Sequence, residues 1–314
     1  MRKIIGIGET VLDIIHRQNQ QGEWIPTKSV PGGSTFNSII TLARLGVNTT
    51  LMTELTNDRV GKGIMSFMEK NGTSTGSIDI YSEKDSRTPI SLAYMDENNN
   101  AEYVFYSLYP EERFNVVIPR IDEGDIVILG SFFAINPILR EQVCNLLEYA
   151  KTRKAIIYYD INYRKNHAAK VMYLMPNIIE NLEYADIVRG SDEDLEIVYK
   201  LTDIERIYND KIKFYCPNFI CTKGGRGVDF YCPEGYKHFD SKYIENPVST
   251  IGAGDTFNAG ILFGLLRCNV TLDNLYTLTR ERWGEIIEYA LEFSAQVCMS
   301  DENYLPLEVA QKYR

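Results

Sequence analysis

Positive charge is scarce in this chain. Lys and Arg together number 33 against 43 Asp and Glu, a formal net charge of −10 over 314 residues. Nucleic acids and anionic membrane surfaces select clustered Lys and Arg, so neither is an expected partner. Long apolar runs are missing as well, and none approaches the roughly 18 residues of a membrane-spanning helix. Met1-Arg2-Lys3 leads into a short apolar stretch broken by Glu9 and Asp13, unlike a secretory signal, and a cytoplasmic location is the expectation. The six cysteines (Cys144, Cys216, Cys221, Cys232, Cys268, Cys298) form no CxxC pair and have no nearby histidine. Zinc spacing is therefore absent, and reduced, partly buried thiols are expected. No fixed-period repeat and no low-complexity tract is found.

What remains is the composition of a globular protein, 44% hydrophobic and 24% charged. The length allows one large α/β domain or two small ones. "RKIIGIG" (Arg2 to Gly8) reads as a buried strand, polar turn-like material follows, and "PGGSTFNSIITLARLG" carries a helix whose apolar face includes Ile39, Ile40, Leu42, Ala43 and Leu45, with Gly46 placed to end it. "TPISLAYMDENNNAEYVFYS" (Thr88 to Ser107) reads as a hairpin around a polar turn. With the excursion over about 14–30, it predicts a small β appendage shaped like a lid over segments near 14–30 and 88–107. From Asp125 onward strands alternate with helices through "NFICTKGG", the signature of βαβ units and a mostly parallel sheet. "GVDFYCPEGYKHFDS" (Gly227 to Ser241) predicts an antiparallel hairpin near an edge, and the chain closes with helices including "RERWGEIIEYALEFSAQVCM".

The candidate chemistry begins at "STIGAGDTF". Glycine costs a helix about 1 kcal/mol relative to alanine, so Gly252 and Gly254 at the front of a long apolar helix call for another reason. Gly252, Ala253 and Gly254 at a helix N-terminus would leave their N–H groups free, unshielded and at the positive end of the macrodipole, an anion cradle. Asp255 reads either as a cap and dipole partner or as the base that takes a hydroxyl proton in phosphoryl transfer. Capping alone does not require so thin a backbone. The GxxxxGK[ST] of P-loop NTPases is absent, and "GIGETVL" lacks the third glycine of a dinucleotide fingerprint.

Read together, Gly8-Glu9 with Asp13, Gly32-Gly33 with Asn37 and Leu45-Gly46, Asp160-x-Asn162-x-Arg164, Thr222-x-Gly224-x-x-Gly227 and Gly252-Ala253-Gly254-Asp255 resemble, in order, the signatures of the ribokinase-like (PfkB) carbohydrate kinases. Gly-Glu-x-x-x-Asp and Pro-Gly-Gly resemble its fructokinase-like members most. The resemblance spans nearly the whole chain. It implies a single α/β kinase domain over 1–314, a three-layer ribokinase-like fold with a mostly parallel central sheet flanked by helices and a small β lid, and ATP-dependent transfer of the γ-phosphoryl group to a monosaccharide hydroxyl. By the family pattern Asp255 is the base, and the backbone of Gly252, Ala253 and Gly254 is the anion hole. Asp13, Gly32, Gly33 and Asn37 border the sugar, joined by Asp160, Asn162 and Arg164. Thr222, Gly224, Gly227, Ser191 and Asp194 lie on the nucleotide side, with Mg²⁺ carried by phosphates and water and with no dedicated metal residue.

Without the family, Asp13 reads equally as a solvated strand-end charge, Asn37 as a polar residue on an exposed helix face, Asp160, Asn162 and Arg164 as a turn, and Lys223 as a stem covering apolar surface. The pattern also departs from the family. Ser249-Thr250-Ile251 stands where Asp-Thr-Thr is common, which leaves dependence on a monovalent cation open. Ser191 and Asp194 replace Asn-x-x-Glu, and Ser300-Asp301 replaces Gly-Ala on the adenine side. A nucleoside kinase of the same family and a catalytically silent sugar-binding regulator are the competing readings. Strand edges in the β lid predict a homodimer formed lid to lid.

Overall fold

The structure is a computed structural model that describes residues 2–84, 86–96 and 101–314. The chain runs through β1 (Lys3–Ile7), β2 (Val11–Gln18), β3 (Trp24–Gly32), β4 (Asn48–Thr56), β5 (Thr73–Ser74), β6 (Ile78–Tyr81), β7 (Arg87–Met95), β8 (Ala101–Leu108), β9 (Ile126–Gly130), β10 (Ile156–Asp160), β11 (Ile187–Ser191), β12 (Phe219–Thr222), β13 (Val228–Cys232) and β14 (Gly235–Phe239). Ten strands form one sheet in the order β14-β13-β12-β11-β10-β9-β1-β4-β5, with β6 also paired to β4. From β4 to β12 every neighbouring pair is parallel, and β13 and β14 close the far edge as the antiparallel hairpin read from the sequence.

The strands are apolar on both faces because both faces are covered. Alternate residues go to opposite cores. Ile4, Ile126, Ile128 and Ile156 meet Phe36, Ile39, Leu262 and Ile286 of helices Ser34–Arg44, Ala253–Arg267 and Arg280–Cys298. Ile5, Val127, Leu129 and Ile157 meet Val143, Leu147, Leu174 and Leu195 of helices Arg140–Thr152, Val171–Tyr184 and Asp192–Tyr199. Glycines inside the long apolar helix have a packing cause: a Cβ on Gly260 would overlap the backbone of Ala290, so the two helices approach closely there.

A second sheet has four strands in the order β3-β2-β7-β8. The β appendage expected near 14–30 is present as strands β2 and β3, and the hairpin extends to Val11 and Gly32. Its polar residues mark the more exposed positions of strands β2 and β3 rather than one long turn. The second expected hairpin is present as β7 and β8 in antiparallel register; of its turn, residues 97–100 lie outside the described residues. The sequence reading had not separated β4 or the helix Arg59–Lys70.

Candidate active site

In an open parallel sheet the carboxyl ends of the strands face the ligand crevice. Here that edge carries Gly8 and Glu9 after β1, Ser131 after β9, Asp160 ending β10, Ser191 ending β11 and Thr222 ending β12. The helix Ala253–Arg267 begins beside the same edge: a Cβ on Gly254 would stand 3.0 Å from Nη2 of Arg189, which lies on β11. Gly252 caps that helix in the left-handed region (φ 80°), where a Cβ would also overlap the carbonyl oxygen of Asn303. Both facts require glycine.

One expectation about the cradle is corrected. The N–H of Ala253 is not free, because left-handed Gly252 folds the chain into a turn in which Ala253 donates to the carbonyl of Thr250 at 3.2 Å. Among the described residues, no main-chain carbonyl takes the N–H of Gly254 or of Asp255. Those two amides, at the positive end of a helix dipole, are the ones available to an anion.

Asp255 is buried at the meeting point of two helix N-termini. Asn37, early in the helix Ser34–Arg44, donates from Nδ2 to Asp255 Oδ2 at 2.8 Å, and Ser38 Oγ donates to the Asp255 carbonyl at 2.8 Å. Burial pushes the Asp255 carboxyl up to about 7; Asn37, Arg164 and Arg189 oppose the rise, and Asp160 adds to it. Such a group takes up a proton near neutrality, which a general base must do. Asn37 is 4% exposed, so it is no surface residue, and its Oδ1 has no partner among the described residues.

Asp13 lies on β2 and is 6% exposed rather than solvated. Ser91 of β7 donates to its Oδ1, Asn303 donates from Nδ2 to its Oδ2 at 3.4 Å, and burial pushes its carboxyl up to about 6. A Cβ on Gly32 would overlap Asp13 Oδ2, and one on Gly33 (φ 124°) would overlap the carbonyl of Glu9. Glu9 accepts from Ser131 Oγ, and burial raises its carboxyl. Arg164 is exposed to solvent, with its guanidinium carbon 5.7 Å from the ring centre of Tyr103 on β8. Although the crowded surroundings disfavour its charge, Tyr103, Asp255, Asp194 and Asp160 outweigh them and raise its pKa. Asn162 is buried and left-handed (φ 37°), the turn that separates Arg164 from β10.

Asp160 is already engaged inside the protein. Its Oδ1 accepts from Arg189 Nη1 at 2.9 Å and its Oδ2 from Asn258 Nδ2 at 2.8 Å, while Asn258 Oδ1 accepts from Tyr158 at 2.8 Å. Thr222 Oγ1 accepts from Arg189 Nη2 at 2.6 Å. Ser191 and Asp194 form a capping box on the helix Asp192–Tyr199, with Ser191 donating from both N and Oγ to Asp194 Oδ2. Gly224 (φ 56°) has open space where a Cβ would be, and Gly227 (φ 90°) backs onto the carbonyl of Phe239. Lys223 is ion-paired with Asp229, which also accepts from Tyr236 and contacts His238, so its role is electrostatic as well as apolar cover. A cavity of about 400 Å³ beside this turn is lined by Asp192, Lys223, Arg226, Asp229 and Tyr236 among others, but by none of the cradle residues.

Sequence reasoning missed Arg189, Asn258, Tyr103, Ser91 and Asn303. Two of them carried a signal: an arginine inside the apolar strand "ADIVRGS" needs a buried partner, and Asn258 interrupts an otherwise apolar helix.

The pfkB family carbohydrate kinase model matches residues 1–308. A fructokinase of Rhizobium leguminosarum bv. trifolii is 27% identical over 293 residues, covering 92% of this chain and 85% of that protein. A 5-dehydro-2-deoxygluconokinase of Geobacillus thermodenitrificans is 24% identical over 286 residues, covering 83% and 80%. Among solved structures, a double mutant of the Vibrio cholerae fructokinase with bound fructose, ADP and potassium superposes with a TM-score of 0.81 at 19% identity, covering 100% of this chain and 98% of that one. With the mostly parallel sheet, the glycine-built helix start and the family match in agreement, the chain belongs to the pfkB family of carbohydrate kinases and has the ribokinase-like fold.

Proposed function

We propose that this kinase phosphorylates a monosaccharide with ATP, a fructose-like ketose being the favoured acceptor, with Asp255 as general base and the Gly254 and Asp255 amides at the glycine-built helix start as the anion hole. The observation that carries the reading is the pairing of a buried carboxyl near neutrality with adjoining N–H groups that, among the described residues, no main-chain carbonyl takes. Asp255 accepts the proton of the attacking hydroxyl, and Asn37 holds the carboxylate oriented through Oδ2. The helix dipole and the Gly254 and Asp255 amides meet charge as it develops on the phosphoryl oxygens. Arg164 adds a positive charge at the mouth.

Asp13, Gly32, Gly33 and Asn37 hold sugar hydroxyls in this reading, and the second sheet covers them as a lid within one kinase domain. The nucleotide supplies the phosphoryl group when bound, and the open space at Gly224 and the Gly254 and Asp255 amides fit its phosphates. A Mg²⁺ carried on those phosphates would neutralise charge there in this reading. Ser191 and Asp194, held together in the capping box, would lend oxygen contacts on the nucleotide side.

The relatives' names divide between a ketose and a keto-deoxy sugar acid, so the test is ADP release over a panel holding both kinds, with nucleosides alongside and Asp255→Asn as control. ADP formed equally fast by Asp255→Asn removes the assigned base. Preference for a nucleoside replaces the sugar reading, and sugar-induced thermal stabilisation without any ADP replaces the enzyme by a binding protein. Exposed Val104, Phe105, Tyr106 and Leu108 on edge strand β8 support a lid-to-lid dimer, which sedimentation as a strict monomer would remove.

A further inference from the structure

Arg189 is a buried charge held from two sides. It lies in the middle of a strand that is covered on both faces, its side chain 7% exposed, where an apolar residue would ordinarily sit. Its two terminal nitrogens are divided between different strands: Nη1 donates to Asp160 on β10 and Nη2 to Thr222 on β12. The register explains the reach, since Arg189 is paired with Asp160 on one side and Ile220 on the other. Nη2 is also the nearest group to the place where Gly254 would carry a Cβ, at 3.0 Å. Its Nε has no hydrogen-bond partner among the described residues.

A buried ion pair can often be replaced by apolar side chains with no loss of stability, so folding alone does not account for a charge held here. An arrangement that leaves one buried donor unmet while spanning the strand ends under a candidate anion hole points to function. Resting on the sugar-kinase reading above, we propose that Arg189 is a positioning residue for phosphoryl transfer: its fork ties Asp160 to Thr222, packs closely against Gly254, and balances the carboxylates of Asp160 and Asp194 so that Asp255 can act as the base.

The groups facing these residues come from every packed element. Asp255 meets Asn37 of the neighbouring helix, Arg164 after β10, Asp160 on β10, Arg189 on β11 and Tyr103 on β8. Arg189 meets Asp160, Asp194, Tyr158, Thr222 and Cys221. Burial opposes the charge of Arg189, but the acidic neighbours outweigh burial and raise its pKa. Removing the guanidinium leaves Asp160 uncompensated beside Asp255 and so makes Asp255 harder to ionise.

The test compares wild type with Arg189→Met and Arg189→Lys in three readings: kcat with KM for the sugar, the pH at which kcat/KM falls on the acid side, and ATP affinity by titration calorimetry. Arg189→Met is expected to lose about a hundredfold in kcat, as when one preorganised donor is removed. Its acid limb moves to higher pH, its sugar KM stays within about threefold, and its ATP affinity drops about tenfold. Arg189→Lys keeps the charge without the fork, so its acid limb stays in place while kcat falls about tenfold. A purely structural role would lower yield and thermal stability but leave the acid limb unmoved.

Wild-type kcat, acid limb and ATP affinity in Arg189→Met overturn the inference. Should Arg189→Met not fold, unaltered kcat and ATP affinity in Arg189→Lys overturn it in the same way. A wild-type chain that binds ATP yet phosphorylates no sugar on the panel overturns the sugar-kinase reading, and the ATP-affinity comparison still decides on Arg189.

Discussion

Asn37 and Asp255 stand 218 positions apart in the chain and are joined at 2.8 Å through the Asn37 amide and Asp255 Oδ2. Each occupies the first turn of its own helix, one following Gly33 and the other following Gly252. The contact fastens the segment that carries Gly32 and Gly33 to the segment that carries the candidate base. Asn37→Leu removes the donor that favours the charged carboxylate. Its expected result is a fall of about tenfold in kcat with the acid limb displaced upward; a pH–rate profile checks both, and an unmoved limb would show that Asn37 does not tune Asp255.

The pH dependence of the wild type follows from Asp255 itself. A base must be deprotonated to act, and this carboxyl is pushed up to about 7 by burial. Activity is expected to fall as pH drops through about 7, by about a factor of ten per unit further down. A kcat/KM profile flat from pH 8 to pH 5 would contradict it.

Stability should run the other way. The folded pKa lies above the ordinary 3.8, so the folded chain holds a proton that the unfolded chain releases. The contribution is present at acid pH and is lost as pH rises toward and through about 7. Asp255→Asn escapes that loss and is expected to be more stable than wild type at pH 8, on the order of 1 kcal/mol, while losing at least about a hundredfold in kcat. Thermal melts at pH 5 and pH 8 give the comparison, and a gain in stability no larger at pH 8 than at pH 5 would refute the assignment.

Gly252→Ala combines a left-handed backbone (φ 80°) with overlap on the Asn303 carbonyl. A cost of about 1–3 kcal/mol in stability is expected, together with a rise in the KM for ATP larger than that for sugar. Equal KM values for both substrates, unchanged from wild type, would separate this turn from phosphate binding.

Arg113 and Glu54 test the support beneath the second sheet. Arg113, just after β8, makes a two-nitrogen contact with buried Glu54 on β4, lies over the Tyr109 ring, and Tyr81 donates to the same carboxylate. Glu54→Gln leaves Arg113 buried without its counter-charge, for which about 3–5 kcal/mol of lost stability is expected in a denaturant titration. A loss below about 1 kcal/mol, as for exposed pairs, would show the cluster to be open to water.

The sequence made the sheet legible where strands and helices alternate, because apolar strands between amphipathic helices admit few other arrangements. "DIVILGS", "KAIIYYDIN" and "NFICTKGG" each contain an observed strand. Between Ile14 and Val30 the β appendage was legible but its strand bounds were not, since half-exposed strands β2 and β3 carry polar residues that imitate loop. The glycines around Asp13 and Asp255 stood out because only close approach or left-handed backbone explains them. Asp160, Ser191 and Asp194 were visible as polar residues at strand ends, but their partners were not. Whether a carboxylate faces a ligand or an arginine from the next strand depends on register, which local pattern does not contain. Tyr103, Ser91 and Asn303 reach the site only through tertiary packing.

Asn303 also bears on how the protein is made. Its amide contacts Asp13 across 290 positions, and its carbonyl lies against Gly252. A nascent chain emerging from the ribosome therefore builds most of its framework before this residue arrives, and until then the two halves of the crevice lack their common wedge. Such long-range closure slows folding. A chain ending before residue 303 would lose both contacts at once, leaving Asp13 without this donor and Gly252 without the carbonyl it packs against.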